Sequence, residues 1–148
     1  MRRLVGSEMC IRDRFIGSSL PDVMNSNFGD ISSFWIGPSQ WLIEAPIEIH
    51  EDLARELSEV SLGKASITEQ TDAWCRFDLQ GSELAKPLSL LCNVDVSSFK
   101  GGEVTRCQMD HLGCFLICRD IKNITILVPR SAAESLYHAI ITALKAVV

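Results

Sequence analysis

CFLICRDIKNITILV, residues 114–128, is the stretch that decides the fold of this 148-residue chain. It contains two apolar runs, Cys114–Cys118 and Thr125–Val128, which are separated by the polar link 120–123. Short continuous apolar runs are typical of fully buried strands. A short polar link between two such runs joins antiparallel neighbours. We therefore predict a buried antiparallel pair of strands here.

The sequence before this pair predicts further strands. Between Trp74 and Gln80, apolar residues alternate strictly with polar ones, which is the period of a half-buried strand. The same period recurs more weakly after Trp41, and the Gly-Pro pair at 37–38 indicates a turn before it. The predicted strands cover 41–45, 74–80, 104–109, 114–118 and 125–128.

Helical spacing of apolar residues predicts helices at about 49–60, 83–92 and 131–148. The last begins with Ser131 and Glu134, the spacing of a capping box. The resulting order is β-α-β-α-β-β-β-α. We therefore expect an α+β fold, with a single mainly antiparallel sheet and helices packed on one face.

The N-terminal segment carries no usable periodicity. Residues 5–14 resemble a translated sequencing-adapter fragment, and 1–14 are left out of the fold prediction. A disordered arm or an Arg-rich targeting peptide are the alternatives, although Glu8 and Asp13 argue against targeting. The following stretch is rich in Gly, Ser, Asn and Asp. We expect a disordered or artefactual tail at 1–33 and a single domain at 34–148.

Composition excludes several classes of protein. With 47% hydrophobic and 22% charged residues, the chain has the composition of a globular domain. The net charge is -5 and no basic stripe is present, which disfavours nucleic acid as a partner. No window approaches the ~20 apolar residues of a membrane span. Six cysteines are expected to be reduced, in a cytoplasmic protein.

A zinc-like spacing is formed by Cys107, His111, Cys114 and Cys118. If 114–118 is a strand, the last two cysteines lie about 13 Å apart along it. Zinc needs its sulfur ligands about 2.3 Å away. We therefore favour buried structural thiols, and keep a zinc-binding interaction module as an alternative.

The other reactive residue types are isolated. Cys92 is the candidate nucleophile, and His111 beside Asp110 is the best acid–base candidate by residue type. His50 and His138 are expected on the surface. Arg130 is expected to pair with Glu134, and the Gly101–Glu103 segment lacks a phosphate-binding pattern. The sequence thus predicts no catalytic, cofactor-binding or metal residue, and a scaffolding role.

Four segments resemble, in order and spacing, motifs of the gamma subunits of heterotetrameric sarcosine oxidases. They are WIGPSQWLI (35–43), WCRFDLQG (74–81), LLCNVDV (90–96) and VPRSAAESLY (128–137). Asn93 stands where that family usually has proline. The motif positions, which we expect to be structural or interface residues, are Trp35, Gly37, Pro38, Trp41, Gly81, Pro129, Arg130 and Ser131.

The resemblance implies a fold related to the folate-binding domain of aminomethyltransferases. It also implies a non-catalytic assembly subunit in a complex that oxidatively demethylates sarcosine to glycine, with alpha, beta and delta subunits as partners. FAD, FMN, NAD, folate and zinc would then belong to the partner subunits. The alternative is a free-standing folate-binding, aminomethyltransferase-like protein of one-carbon metabolism.

Overall fold

The computed structural model describes the backbone of residues 2–6 and the whole of residues 20–147. The chain divides into two compact units, one ending at Thr71 and the other beginning at Asp72. Each unit has its own antiparallel sheet and at least one helix. The predicted α+β class is therefore confirmed. The expected single sheet is corrected to two sheets.

The first unit contains a five-stranded antiparallel sheet with the order β2-β3-β4-β1-β5 and one helix. Leu53 and Leu57 of the helix are buried together with Trp41 and Ile43 of the sheet. The elements are β1 (Arg2–Gly6), β2 (Ser26–Asn27), β3 (Ser32–Gly37), β4 (Gln40–Glu44), α1 (Leu53–Ser61) and β5 (Ala65–Glu69).

Helix α1 begins later than the apolar spacing predicts. Asp52 is the N-cap of the helix, because its side chain accepts a hydrogen bond from the amide of Arg55. Upstream, the amides of Ile49 and His50 both donate to the carbonyl of Pro46, so the chain turns there. Ile49 is 69% exposed and does not belong to the buried stripe.

The second unit contains a four-stranded antiparallel sheet with the order β6-β9-β8-β7. Its strands contain all four predicted strands between residues 74 and 128, which are confirmed. The elements are β6 (Trp74–Gln80), α2 (Ala85–Ser89), β7 (Val104–Met109), β8 (Leu112–Asp120), β9 (Asn123–Pro129) and α3 (Ala133–Val147), with short 3-10 turns at Val96–Ser98 and Arg130–Ala132.

One face of this second sheet is covered by the helices α2 and α3. Leu88 of α2 and Leu136 of α3 are buried against Leu116 of β8 and Ile126 of β9, each fully inaccessible. Each such side chain contributes roughly 1.5–3 kcal/mol on burial. The prediction of helices packed on one face of a sheet holds within this unit.

Three local predictions need correction. The predicted tail 1–33 contains the strands Arg2–Gly6 and Ser26–Asn27, whereas 7–19 lie outside the described residues. Helix α2 covers only Ala85–Ser89 instead of the predicted 83–92. Ser131 lies inside a 3-10 turn with no side-chain cap at its start, instead of capping α3.

The longest helix, α3, has 15 residues. Across residues 2–6 and 20–147, no helix has both the length and the apolar character needed to cross a membrane.

Candidate functional site

The hairpin turn between β7 and β8 consists of Asp110 and His111. Both have positive φ angles, 45° and 67°, the arrangement of a primed two-residue hairpin turn. Short polar residues tolerate this conformation better than branched ones do. The amide of Asp110 donates to the carbonyl of Leu91 at 3.1 Å. The turn is thereby fastened to the segment that follows α2.

An open groove of about 500 Å³ lies beside this turn. It brings Asp110 and His111 together with Cys92, the three reactive residue types that the sequence singled out. Asp110 and His111 are exposed, whereas Cys92 is partly buried. The groove is lined by Ser89, Leu90, Leu91, Cys92, Asn93, Gln108, Asp110 and His111.

A second groove of about 440 Å³ shares Leu90, Leu91 and Asp110 with the first. It continues along α3, where its walls are mostly small or polar side chains. Those residues are Ser135, His138, Ala139, Thr142, Ala143 and Ala146.

The thiol of Cys92 is held in its protonated form. A hydrogen bond with Cys107, together with burial, raises the pKa of Cys92 far above its ordinary value. Its sulfur also lies 3.5 Å from the carbonyl oxygen of Leu88, to which it donates. Because the thiolate is the nucleophile, this groove does not hold an activated cysteine.

The zinc-like residues separate into different surroundings. The sulfurs of Cys107 and Cys114 lie 3.6 Å apart across β7 and β8, but the Cys118 thiol donates to the carbonyl of Asp120 instead. Burial and the charge of Glu103 raise the pKa of Cys118 to about 11. Among residues 20–147, no three His, Cys, Asp or Glu side chains are arranged to hold a metal ion.

The glycine pair 101–102 lies in a loop that is closed by Glu103. The carboxylate of Glu103 accepts hydrogen bonds from the amides of Lys100 and Gly101, both at 2.8 Å. Burial opposes its ionisation, but these amides outweigh burial and lower the pKa of Glu103. The amides that could face a phosphate are therefore already occupied.

A polar network that the sequence did not predict lies on the sheet of the second unit. Arg76 Nε donates to both carboxylate oxygens of Asp78, and Thr125 donates to Asp78 at 2.6 Å. Arg119 Nε donates to Thr125 at 2.9 Å. Burial opposes ionisation of Asp78, but these hydrogen bonds and the two arginine charges lower its pKa. A threonine inside the apolar run 124–128 was the signal that could have indicated this network.

The remaining titratable candidates form local pairs. His50 Nδ1 lies 2.7 Å from Glu56 and is half-buried, so the expected surface position is only partly right. Arg130 pairs at 3.7 Å with Asp72, which corrects the expected pairing with Glu134. His138 lies 3.9 Å from Glu134 on an exposed turn of α3.

The motif residues of the first unit lie in one hairpin. Trp35 of β3 is the register partner of Trp41 of β4, and Gly37 pairs with Gln40 around the turn at Pro38. Trp41 is 2% exposed, and its Nε1 donates to the carbonyl of Pro21 at 3.0 Å. Trp41 is therefore a core residue, whereas Trp35 is half-buried.

The motif residues of the second unit lie at strand ends. The amide of Gly81 donates to the carbonyl of Lys122 at 3.0 Å, and the amide of Arg130 donates to that of Ala73 at 2.9 Å. Pro129 is the register partner of Trp74. Ser131 follows in the 3-10 turn. These residues organise the ends of β6 and β9 and do not converge on either groove.

Comparisons with known proteins place the fold. No protein-family model matches the sequence, and no curated protein matches it. Among solved structures, the chain is similar to a chain of the heterotetrameric sarcosine oxidase from Corynebacterium sp. U-96, in complex with pyrrole 2-carboxylate. The TM-score is 0.79 at 17% identity, and the alignment covers 97% of this chain and 78% of that chain.

The described residues form an α+β protein with two neighbouring grooves beside the β7–β8 turn. Its fold is shared with a chain of a heterotetrameric sarcosine oxidase.

Proposed function

We propose that this chain is a gamma-type, non-catalytic subunit of a heterotetrameric sarcosine oxidase. In this role it supports assembly by binding larger subunits, those of alpha, beta and delta type, and the complex demethylates sarcosine to glycine oxidatively. FAD, FMN, NAD, folate and zinc would be bound by the partners. We place the assembly in the cytoplasm as part of the same proposal.

The shared fold carries the proposal. The alignment with a chain of such a complex extends over 97% of this chain at a TM-score of 0.79. Because it covers 78% of the other chain, that chain is about a quarter longer than this one. The neighbour is therefore a small chain of similar size. The four sequence motifs support the gamma type in particular.

The chemistry of the grooves supports a role without catalysis. Cys92 is kept protonated by its hydrogen bond with Cys107 and by burial, and Asp110 and His111 are exposed in a hairpin turn. A catalytic cysteine needs an electropositive setting or an adjacent base that lowers its pKa. The hydrogen bond with Cys107 and burial instead raise the pKa of Cys92.

Exposed apolar side chains of the first unit support docking onto a partner. Two pairs lie close in sequence, Val23 with Met24 and Ile47 with Ile49, and each of the four is at least half exposed. A partner that covers these side chains would remove their apolar surface from water, which favours association.

Binding measurements on the isolated chain test the proposal. We expect the purified chain to bind neither flavin nor tetrahydrofolate in calorimetric titrations. We also expect it to co-purify with a flavin-containing subunit when the genes next to its own are co-expressed. Tight tetrahydrofolate binding by the isolated chain would instead favour the free-standing folate-binding protein, and would overturn the assembly role.

A further inference from the structure

We propose that Cys107 and Cys114 are a redox-active dithiol that closes to a disulfide when a peroxide oxidises the folded chain. This inference is independent of the proposed function, because it rests on the local geometry of the β7–β8 hairpin.

The two cysteines are register partners across β7 and β8, and their sulfurs lie 3.6 Å apart. Directly opposed residues of an antiparallel pair have Cα atoms about 4.5–5.5 Å apart. Disulfides span Cα separations of about 4.4–6.8 Å, with the sulfurs at about 2.05 Å. The range for opposed residues overlaps the range for disulfides, and bond formation requires the sulfurs to close from 3.6 Å to about 2.05 Å.

The contact between the thiols also prepares one of them for attack. The hydrogen bond from Cys107 lowers the pKa of Cys114 against the effect of burial, and the same bond raises the pKa of Cys107 to about 12. These directions favour Cys114 over Cys107 as the attacking thiol in the proposed reaction.

The oxidation balances with one peroxide per dithiol. The Cys114 thiolate attacks an O–O bond, which gives a Cys114 sulfenic acid and, after protonation, one water from hydrogen peroxide. The Cys107 sulfur then attacks the Cys114 sulfur. The sulfenic hydroxyl leaves with the Cys107 proton as a second water. The two thiols lose two electrons, and the peroxide gains two.

Access to the pair comes from the sheet edge. Cys107 is 9% and Cys114 1% exposed, but β7 is the edge strand of its sheet. Cys92, which contacts Cys107, lines the open groove beside this edge. In the proposed reaction a small oxidant enters from that groove, past Cys92.

Peptide mapping of the oxidised protein tests the pairing. A protease that cuts before aspartate separates the thiols into fragments 78–94 (Cys92), 95–109 (Cys107) and 110–119 (Cys114 and Cys118). The folded chain, with Cys10→Ser, is treated with hydrogen peroxide and digested without reduction. We expect 95–109 and 110–119 to be joined and to separate on reduction.

Three variants assign the sulfurs. Cys118→Ser should keep the joined fragments, whereas Cys114→Ser and Cys107→Ser should lose them entirely. Cys75→Ser, at a partly buried cysteine on β6, is the control and should keep them. Circular dichroism checks that each variant is folded. The peptide map of the chain that carries only Cys10→Ser tests the pairing even if a variant fails to fold. A link that persists in Cys114→Ser, a link from Cys92 to Cys107, or thiols that stay reduced would each overturn the proposal.

Discussion

The hydroxyl of Thr125 donates a 2.6 Å hydrogen bond to the carboxylate of Asp78, its register partner across β6 and β9. The same hydroxyl accepts a hydrogen bond from Arg119 of β8. Thr125 is 1% exposed, so a buried polar group is satisfied from both sides. One threonine thus connects three strands of the second unit by side-chain hydrogen bonds.

Thr125→Val keeps the side-chain shape but removes both hydrogen bonds. Because the network loses its central member, we expect the free energy of unfolding to fall by about 1–3 kcal/mol. Urea denaturation followed by circular dichroism measures this. Asp72→Asn is the control, since it removes only the exposed ion pair with Arg130 and should cost less than about 1 kcal/mol. Equal losses in both variants would contradict the importance of the network.

Acid should destabilise the chain partly through Asp78. Its pKa lies below the ordinary value of 3.8, because its hydrogen bonds with Arg76 and Thr125 outweigh the opposing effect of burial. A carboxyl with a lowered folded-state pKa stabilises the fold above its unfolded-state pKa, and this contribution is lost as the pH falls through the folded-state value.

Thermal unfolding between pH 6 and pH 2 measures this effect. We expect Asp78→Asn to be less stable than the wild type at pH 6 and to lose less stability on acidification. A variant whose melting temperature falls as steeply as that of the wild type would show that Asp78 has no such role.

Two glycines of the second unit should respond differently to alanine. Gly101 has a φ of +117°, which side chains rarely adopt, although an added Cβ would meet only ordinary contacts there. We expect Gly101→Ala to cost about 1–3 kcal/mol through backbone strain alone. An alanine at Gly113, in β8, would meet nothing within 4 Å. Gly113→Ala should be neutral, or stabilising by up to about 1 kcal/mol. Chemical denaturation measures the free energy of unfolding of both variants. Equal changes in the two would argue against backbone strain at Gly101.

The two tryptophans of the first hairpin should separate core from surface roles. Trp41→Phe removes the hydrogen bond to the Pro21 carbonyl and part of a buried ring, so we expect a loss of about 1–3 kcal/mol. Trp35→Phe, at the half-buried register partner, is the matched control and should cost less. Tryptophan fluorescence in a urea titration measures both. A larger loss for Trp35→Phe would contradict the assignment of Trp41 as the core residue of this pair.

The second unit was largely predictable from its sequence. Strands β6, β8 and β9 have either strict alternation or short apolar runs, and α3 has a broad apolar stripe. Such patterns are strong because each element buries one face or both against the same core. The polar network escaped prediction, since partners such as Asp78 and Thr125 are 47 residues apart in the sequence.

The first unit was less predictable, for two physical reasons. The strand Ser32–Gly37 ends at a Gly-Pro turn, so that Trp35 looked like a residue before the first strand. The edge strand Ala65–Glu69 is largely exposed and has weak alternation, and it pairs with Arg2–Gly6, which lay outside the fold prediction. The groove beside Asp110 depends on how a turn packs on the segment after α2, which local patterns do not encode.

Native mass spectrometry of the complex, purified through a tag on this chain from cells that co-express the neighbouring genes, tests the assembly role most directly. We expect one copy of this chain in a four-chain, flavin-containing particle that oxidises sarcosine. We also expect the other chains to fail to form that particle when this gene is omitted. A chain that remains alone, while the other three assemble and oxidise sarcosine without it, would rule out the assembly role.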